Sequence, residues 1–341
     1  MTAPWIVLVD YNGLADTRKC LDSLALQTRP HHVVVVDNAS RVHVADALQH
    51  DFPSVHFVRN PINGGWAGGN NVGIQYALDH GADLVVLLNN DTTVAPQFVQ
   101  RIEQVADAHP AFGVFGPVIR FMSPPHEIMT DGCQFNRRTQ PGFFERLEVP
   151  LRDASVPPIT EVDIVNGCCM AIRRAVFEQI GLIDERFFLI HEESDFCLRA
   201  TRAGWKCGVF AEALVWHKGS STFKREGSKL QRYYDTRNLA LILTKHPHRP
   251  HARPLLVGLA AHSRYAFQRY ILERQAGFDP AAEAVLQGFY DGYLGHYGIW
   301  HPERPRPGLF LLRWLFDTAH RLRQRVTPEP APASPQQETR S

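Results

Sequence analysis

Three stretches of this chain set carboxylates, amides and an imidazole where they could act on a ligand. LVVLLNND, from Leu84 to Asp91, is an apolar run that stops abruptly at Asn89, Asn90 and Asp91. VVVVDNAS, from Val33 to Ser40, repeats that arrangement with Asp37, and HEESDF gathers Glu192, Glu193 and Asp195 ahead of VFAEALVWH, which ends in His217. Asp91 is a hard oxygen ligand of the kind that holds Mg2+ or Mn2+ on a diphosphate. Asp37 could accept hydrogen bonds from a base or ribose. Crowded carboxylates raise the proton affinity of one of their number, which suits a general base. Each residue also has a plainer reading. Asp37 could close an Asx-type turn, Asp91 could cap a helix suggested from Thr92 onward, and acidic residues are stabilised at any helix start. A lone histidine such as His217 is more often structural than ligating.

The elements that would carry these residues read as repeated βαβ grammar. Strands are expected at Trp5 to Val9, Val33 to Val36, Val55 to Val58 and Leu84 to Leu88, with helices from about Asp16 to Gln27 and from Asn71 to Leu78. Right-handed crossovers then give a parallel sheet with helices on both faces, and ligands bind at the C-terminal edge of such strands. The turn NGGWAGGNN, from Asn63 to Asn71, adds a third strand-end site where glycines allow close backbone approach and Asn70 and Asn71 could cap the next helix. From Pro117 to Pro158 the chain is read as loops with edge strands. A second organised block follows: a strand DIVNGCCMAIRR, a helix from Arg174 to Ile180, the acidic helix start, a stop at Gly204 and a strand from Trp205.

Composition narrows the function classes. With 341 residues, 44% of them hydrophobic, the chain can bury at least one full core. A net charge of +1 lacks the basic excess of phosphate-tracking proteins, so no nucleic-acid partner is expected. The six cysteines form no CxxC pair, and no segment reaches the roughly 18 to 20 apolar residues of a spanning helix. The expected location is cytoplasmic. There is no GxGxxG fingerprint after the first strand and no Walker lysine, which argues against a dinucleotide enzyme and a P-loop phosphotransferase.

In order along the chain, VLVDYNG, VVVVDNAS, NGGWAGGNN, LLNNDT, VNGCCMAIRR, HEESDFCLR and VWHKGSS resemble the motifs of the family 2 inverting glycosyltransferases, particularly the rhamnosyltransferase-like branch that builds bacterial surface polysaccharides. The resemblance spans Trp5 to His246. It implies an α/β, GT-A-type nucleotide-binding fold, mainly a parallel sheet flanked by helices, with a C-terminal helical extension. It also implies a nucleotide-diphosphate sugar donor, with rhamnose from dTDP-rhamnose favoured, and a glycan or lipid-linked glycan acceptor. Tyr11, Asp37, Asn63, Gly65, Asn70 and Asn90 would line the donor nucleotide. Asp91, with His217, would hold Mg2+ or Mn2+; the first position of the family's DxD is here Asn89. Glu193 matches the presumed general base, with Asp195 following it, and the choice between the two stays open because Glu replaces the usual Asp. Gly167 and Cys168 would border the acceptor.

The implied division is a transferase domain at 1–217, a basic lid and connecting helix at 218–250, a helical region at 251–326 and a disordered tail at 327–341. Lys218, Lys224 and Arg225 could close over the diphosphate. Leu309, Leu312, Leu315, Phe316, Ala319, Leu322 and Val326 fall at helical spacing among Arg313, Arg321, Arg323 and Arg325. That pattern reads as a basic amphipathic helix for peripheral contact with an anionic membrane, or as core or a subunit contact in a homo-oligomer. Two further classes stay open: a catalytically silent sugar- or nucleotide-binding module, and a sugar nucleotidyltransferase, whose Gly-rich opening VLVDYNGLADTRK does not match.

Overall fold

The computed structural model describes residues 2–135, 144–146, 149, 151, 158–219, 228–246 and 254–326. Lys224, Arg225 and the tail at 327–341 lie outside the described residues. The Val- and Leu-rich runs form β1 (Trp5–Asp10), β2 (His32–Asn38) and β4 (Leu84–Leu88), and β3 spans His56–Asn60. Between them run α1 (Leu14–Ala25), α2 (Val44–Leu48) and α3 (Gly65–Asp79). These four strands are mutually parallel in the order β3-β2-β1-β4, as the βαβ reading requires.

The sheet continues through β11 (Cys169–Arg173), β6 (Phe112–Phe121), β12 (Lys206–His217) and β10 (Ile159–Val162). Of these, β11 runs antiparallel to β4 and β6, while β6 and β12 are parallel to each other. With β5 (Thr92–Val94) on β12 and β7 (Ile128–Thr130) on β6, the described residues form a ten-stranded, mainly parallel sheet. A separate hairpin joins β8 (Cys133–Phe135) to β9 (Phe144–Arg146).

Strand alternation sorts the core into two layers. Trp5, Val7, Val85, Leu87, Met170 and Ile172 face α3, α5 (Arg174–Ile180) and α6 (Glu192–Arg202). Their neighbours Ile6, Leu8, Val86 and Leu88 face α1 and α4 (Phe98–Ala108). The remaining helices are α7 (Ser228–Lys245), α8 (Pro254–Gln275), α9 (Asp279–Leu294) and α10 (Leu309–Val326). Among the described residues no helix is long and apolar enough to cross a membrane.

Four expectations change. The stretch read as loops with edge strands begins instead in a central strand: Pro117 lies inside β6, in register with Phe210, and β12 slips register immediately afterwards, between Phe210 and Ala213. A residue without an N–H is tolerated beside such a bulge. The strand read at DIVNGCCMAIRR is shorter, beginning at Cys169. Thr92 opens β5, not a helix, because β12 offers it an antiparallel partner that pairs Thr92 with His217. Helix α3 starts at Gly65, six residues before the expected Asn71, since the glycine-rich turn is itself the first helical turn.

Candidate functional site

Pairing of β5 with β12 decides the first half of the site. It sets His217 opposite Thr92, the residue after Asp91, and His217 Nε2 then lies 2.9 Å from Asp91 Oδ1, both side chains nearly buried. The Lys218 backbone N–H donates to the Asp91 carbonyl at 3.0 Å and fixes the same junction, while its ammonium pairs with Asp16 at 2.9 Å. Asn89 takes a different part. Its Oδ1 accepts from Trp66 Nε1 at 3.0 Å and its amide nitrogen lies 3.4 Å from His217 Nε2. Asn90 turns the other way, donating to Thr17 at 2.8 Å.

The geometry of Asp91 and His217 fits a divalent ion. Adjacent ligands of an octahedral ion with bonds of about 2.1 Å lie about 3 Å apart, the separation these atoms already have, and Mg2+ or Mn2+ commonly takes its other ligands from phosphate and water. Among the described residues no three His, Cys, Asp or Glu side chains cluster as a complete metal cage.

The second part of the site is the edge of β1 and β2. Buried Asp10, not singled out from the sequence, accepts from the Thr17 hydroxyl at 2.5 Å, the Ser40 hydroxyl at 2.8 Å and the Gly13 N–H at 3.2 Å, tying down the loop that carries half-exposed Tyr11. Asp37 makes the turn of its plainer reading, accepting the Ser40 N–H at 2.8 Å. Its other oxygen accepts from Arg59 at 2.6 Å, a residue directly beside it in the β2–β3 register. Asn38 organises the glycine-rich turn: it donates to Asn63 Oδ1 and the Gly65 carbonyl and accepts from Asn60 and the Gly64 N–H, all within 3.0 Å. Gly65 has φ +69°, and a β carbon there would meet the Phe188 carbonyl oxygen at 2.2 Å. Asn70 and Asn71 are not caps. Asn70 donates back to the Trp66 carbonyl, and Asn71 exchanges hydrogen bonds with the Ile183 backbone.

The third part is the start of α6. Asp195 is fully buried and bonded to Lys245 at 2.7 Å, His246 at 2.8 Å and Arg199 at 2.9 Å. Burial opposes its ionisation, but the hydrogen bonds from His246 and Lys245 and the charge of Arg199 outweigh it and hold the carboxyl below the usual range. The raised proton affinity expected of the acidic cluster falls on Glu192: burial, then the neighbouring Glu193 charge, push its carboxyl well up. Glu193 is half-buried.

Gly167 connects the parts. A β carbon built on it would stand 3.2 Å from Trp66 Cζ2 and 3.4 Å from Glu193 Cβ, so the Trp66 indole and Glu193 flank the same small gap. From there contacts run through Trp66 and Asn89 to His217 and Asp91. Cys168 does not border this gap: its side chain is buried in the core beneath the sheet, and its carbonyl accepts from the Asn89 N–H at 2.9 Å. Burial raises the thiols of Cys168 and of Cys20, the latter to about 12, so neither is a nucleophile. The sequence reading missed Asp10, Asn38, Arg59 and Trp66; an aromatic inside a glycine-rich strand-end turn was the available signal for Trp66.

Fold and site together define a GT-A-type transferase domain: a mainly parallel sheet with a carboxylate–imidazole pair, a glycine-rich turn and an acidic helix start at its strand ends. The chain belongs to glycosyl transferase family 2, whose family description matches residues 5–181, and it is a glycosyltransferase. It is 30% identical over 237 residues to the low-salt glycan biosynthesis hexosyltransferase Agl10 of Haloferax volcanii, covering 68% of this chain and 73% of that protein. It is 27% identical over 250 residues to the dTDP-rhamnosyl transferase RfbF of Shigella flexneri, covering 71% and 80%. Among solved structures, S. aureus TarS superposes with a TM-score of 0.55 at 15% identity, covering 93% of this chain and 54% of that one. GalNAc-T7, crystallised with UDP, GalNAc and Mn2+, superposes with a TM-score of 0.52 at 14% identity, covering 81% and 58%. These two likenesses speak to the fold.

Proposed function

We propose that this protein transfers a sugar from a nucleotide-diphosphate donor to a hydroxyl of a glycan or lipid-linked glycan, with inversion, and that rhamnose from dTDP-rhamnose is the donor sugar. The observation that carries the reading is the line of contacts from Asp91 and His217 through Asn89 and Trp66 to the gap beside Glu193. The names of the rhamnosyl relatives favour the sugar.

Tyr11, Asp37, Asn63, Gly65, Asn70 and Asn90 are assigned to the nucleotide side. There the glycine-rich turn organised by Asn38 and the loop pinned by Asp10 shape the strand edge. Asp91 and His217 are assigned to hold Mg2+ or Mn2+. That ion, when bound, supplies electrostatic stabilisation of the departing diphosphate. Glu193 removes the acceptor hydroxyl proton. It is preferred to Asp195 because the Asp195 carboxylate is spent on Lys245, Arg199 and the His246 imidazole and has no exposed surface, whereas Glu193 is only half-buried and its Cβ lies beside Gly167. The Trp66 indole lies against the same side of Gly167.

We assign membrane contact to α10. Its sequence stripe divides in the structure: Leu309, Leu312 and Phe316 pack on α8 and α9, while Leu315 and Leu322 face outward with Phe310, Leu311 and Trp314, each more than half exposed. An anionic lipid surface suits an exposed apolar face flanked by arginines.

The test is transfer from dTDP-rhamnose to a lipid-linked glycan, with the anomeric configuration of the product read by NMR. An inverted product that disappears in Glu193→Gln and Asp91→Ala supports the assignment. Undiminished transfer in both variants refutes the site, and a retained configuration refutes the mechanism.

A further inference from the structure

The segment between α5 and α6 carries unusual backbone. Phe188, Ile190 and His191 have φ of +63°, +69° and +71°, the left-handed region that residues with a β carbon rarely occupy. Three such residues in four persist only where their surroundings over-determine them. Here the surroundings are two adjacent, fully buried residues of α7, Arg237 and Asn238.

The Asn238 amide lies 2.9, 2.6 and 2.7 Å from the carbonyl oxygens of Phe187, Leu189 and Ile190. Arg237 donates to the carbonyls of Arg186 at 3.0 Å, Phe187 at 2.6 Å and Gly298 at 2.6 Å, and its Nε donates to Asn238 Oδ1 at 2.8 Å, which fixes the amide's orientation. One turn of α7 thus gathers the carbonyls of Arg186, Phe187, Leu189 and Ile190 onto itself. The Phe188 carbonyl is left pointing elsewhere, and it accepts from the Trp66 and Ala67 N–H groups at 2.8 and 3.3 Å. Those are the second and third N–H groups of α3; the first, that of Gly65, donates to Asn63 Oδ1 at 2.9 Å. On the far side of the strained residues, the His191 carbonyl accepts the Asp195 N–H at 3.0 Å and so opens the helix that bears Glu193.

We infer that Arg237 and Asn238 are positioning residues for sugar transfer. By forcing Phe188, Ile190 and His191 into the left-handed region they set Trp66 and Glu193 against the same gap beside Gly167. The inference rests on Glu193 as the base. The clamp touches neither the assigned donor residues nor the gap itself, but the Phe188 carbonyl it directs packs on Gly65, so its effect falls chiefly on turnover and to a smaller extent on nucleotide affinity. Because glycine adopts the left-handed region without strain, Ile190→Gly removes part of the need for the clamp.

The experiment compares wild type, Asn238→Ala, Arg237→Lys, Asn238→Ala/Ile190→Gly, Glu193→Gln and Asn238→Ala/Glu193→Gln. Three readings are taken below each variant's melting temperature: nucleotide-diphosphate release and transfer from dTDP-rhamnose, UDP-N-acetylglucosamine and GDP-mannose, and calorimetric affinity for dTDP, UDP and GDP. For Asn238→Ala, kcat falls about 100-fold, the loss expected when a reacting group is misplaced by about 1 Å, while nucleotide Kd rises far less than that. Adding Ile190→Gly restores at least about tenfold of that loss, as expected if backbone strain is what the clamp holds. Asn238→Ala/Glu193→Gln is no slower than Glu193→Gln alone, since residues acting as one unit are non-additive.

A folded Asn238→Ala with wild-type kcat, or losses that multiply in the double variant, overturns the inference while leaving Glu193 as the base. Should Asn238→Ala not fold, Arg237→Lys carries the same prediction, and its retaining wild-type kcat overturns it equally. Wild-type turnover in Glu193→Gln removes the base assignment, and this inference with it.

Discussion

Gly167→Ala isolates the gap between Trp66 and Glu193 from the stability of the fold. The added methyl would sit 3.2 Å from Trp66 Cζ2 and 3.4 Å from Glu193 Cβ. Carbon atoms rest about 3.5 to 4.0 Å apart, so the neighbours must yield by roughly 0.4 Å. Trp66 is held at both ends, by its indole N–H on Asn89 and its backbone N–H on the Phe188 carbonyl, and Glu193 is fixed in the first turn of α6. If about 1 Å of misplacement costs about 100-fold, 0.4 Å costs roughly sixfold in kcat, and the bulkier Gly167→Val approaches the full 100-fold. Stability responds differently. Gly167 does not adopt a positive φ, so alanine gains about 0.4 to 1 kcal/mol from the unfolded chain, which offsets the local crowding and leaves the melting temperature nearly unchanged. Steady-state transfer, nucleotide titration and thermal melting of both variants check this. Wild-type kcat in Gly167→Val would refute the reasoning, because no reacting group could then depend on that gap.

Gly65→Ala is expected to do the opposite and damage the fold: a left-handed alanine costs about 1 to 2 kcal/mol, and the clash with the Phe188 carbonyl adds to it, so urea unfolding should show a loss of at least about 2 kcal/mol. His262, between the Thr236 carbonyl and the Tyr293 hydroxyl, is pushed down to about 4 by burial. A depressed histidine leaves the unfolded chain binding more protons, so its contribution is fully present above about pH 6.5 and is lost as pH falls toward 4. That predicts about 2 kcal/mol lost between pH 7 and pH 5 in denaturant midpoints, a loss that His262→Gln should diminish. Sedimentation with anionic vesicles should retain wild type at low salt and release it at high salt. Trp314→Ser/Leu315→Ser, and separately Arg321→Glu/Arg323→Glu/Arg325→Glu, should abolish that binding, and a wild type that never sediments would remove α10 as a membrane contact.

What the sequence revealed and what it hid follow from how local each determinant is. The runs Trp5–Asp10 and Leu84–Leu88 are continuous and apolar, so their strands and the polar residues ending them were readable at once. The helix at Arg174–Ile180 is likewise specified by its own residues. Strand β5 was misread as helix because three residues take their state from β12, more than a hundred positions away. The end of strand β6 was misread because Pro117 and the Pro-, Gly- and aromatic-rich run after it look like loop until the bulge opposite Pro117 is seen. The site behaves the same way. Asp37 and Asp91 could be named from the strands they terminate, but the junction of Asp91 with His217 and the meeting of Trp66 with Glu193 at Gly167 are tertiary facts. The expected raised proton affinity fell on Glu192 because burial, which spacing does not reveal, is its largest cause.

The measurement that bears most directly on the central claim is calorimetric titration of dTDP, UDP and GDP into wild type and Asp91→Ala, each with and without Mn2+. The account predicts that one nucleotide binds wild type, that Mn2+ strengthens it by at least about tenfold, and that Asp91→Ala abolishes the Mn2+ effect while leaving the fold intact. Equal binding by wild type and Asp91→Ala in the presence of Mn2+ would contradict it, and would move the donor site away from the strand end that Asp91 and His217 share.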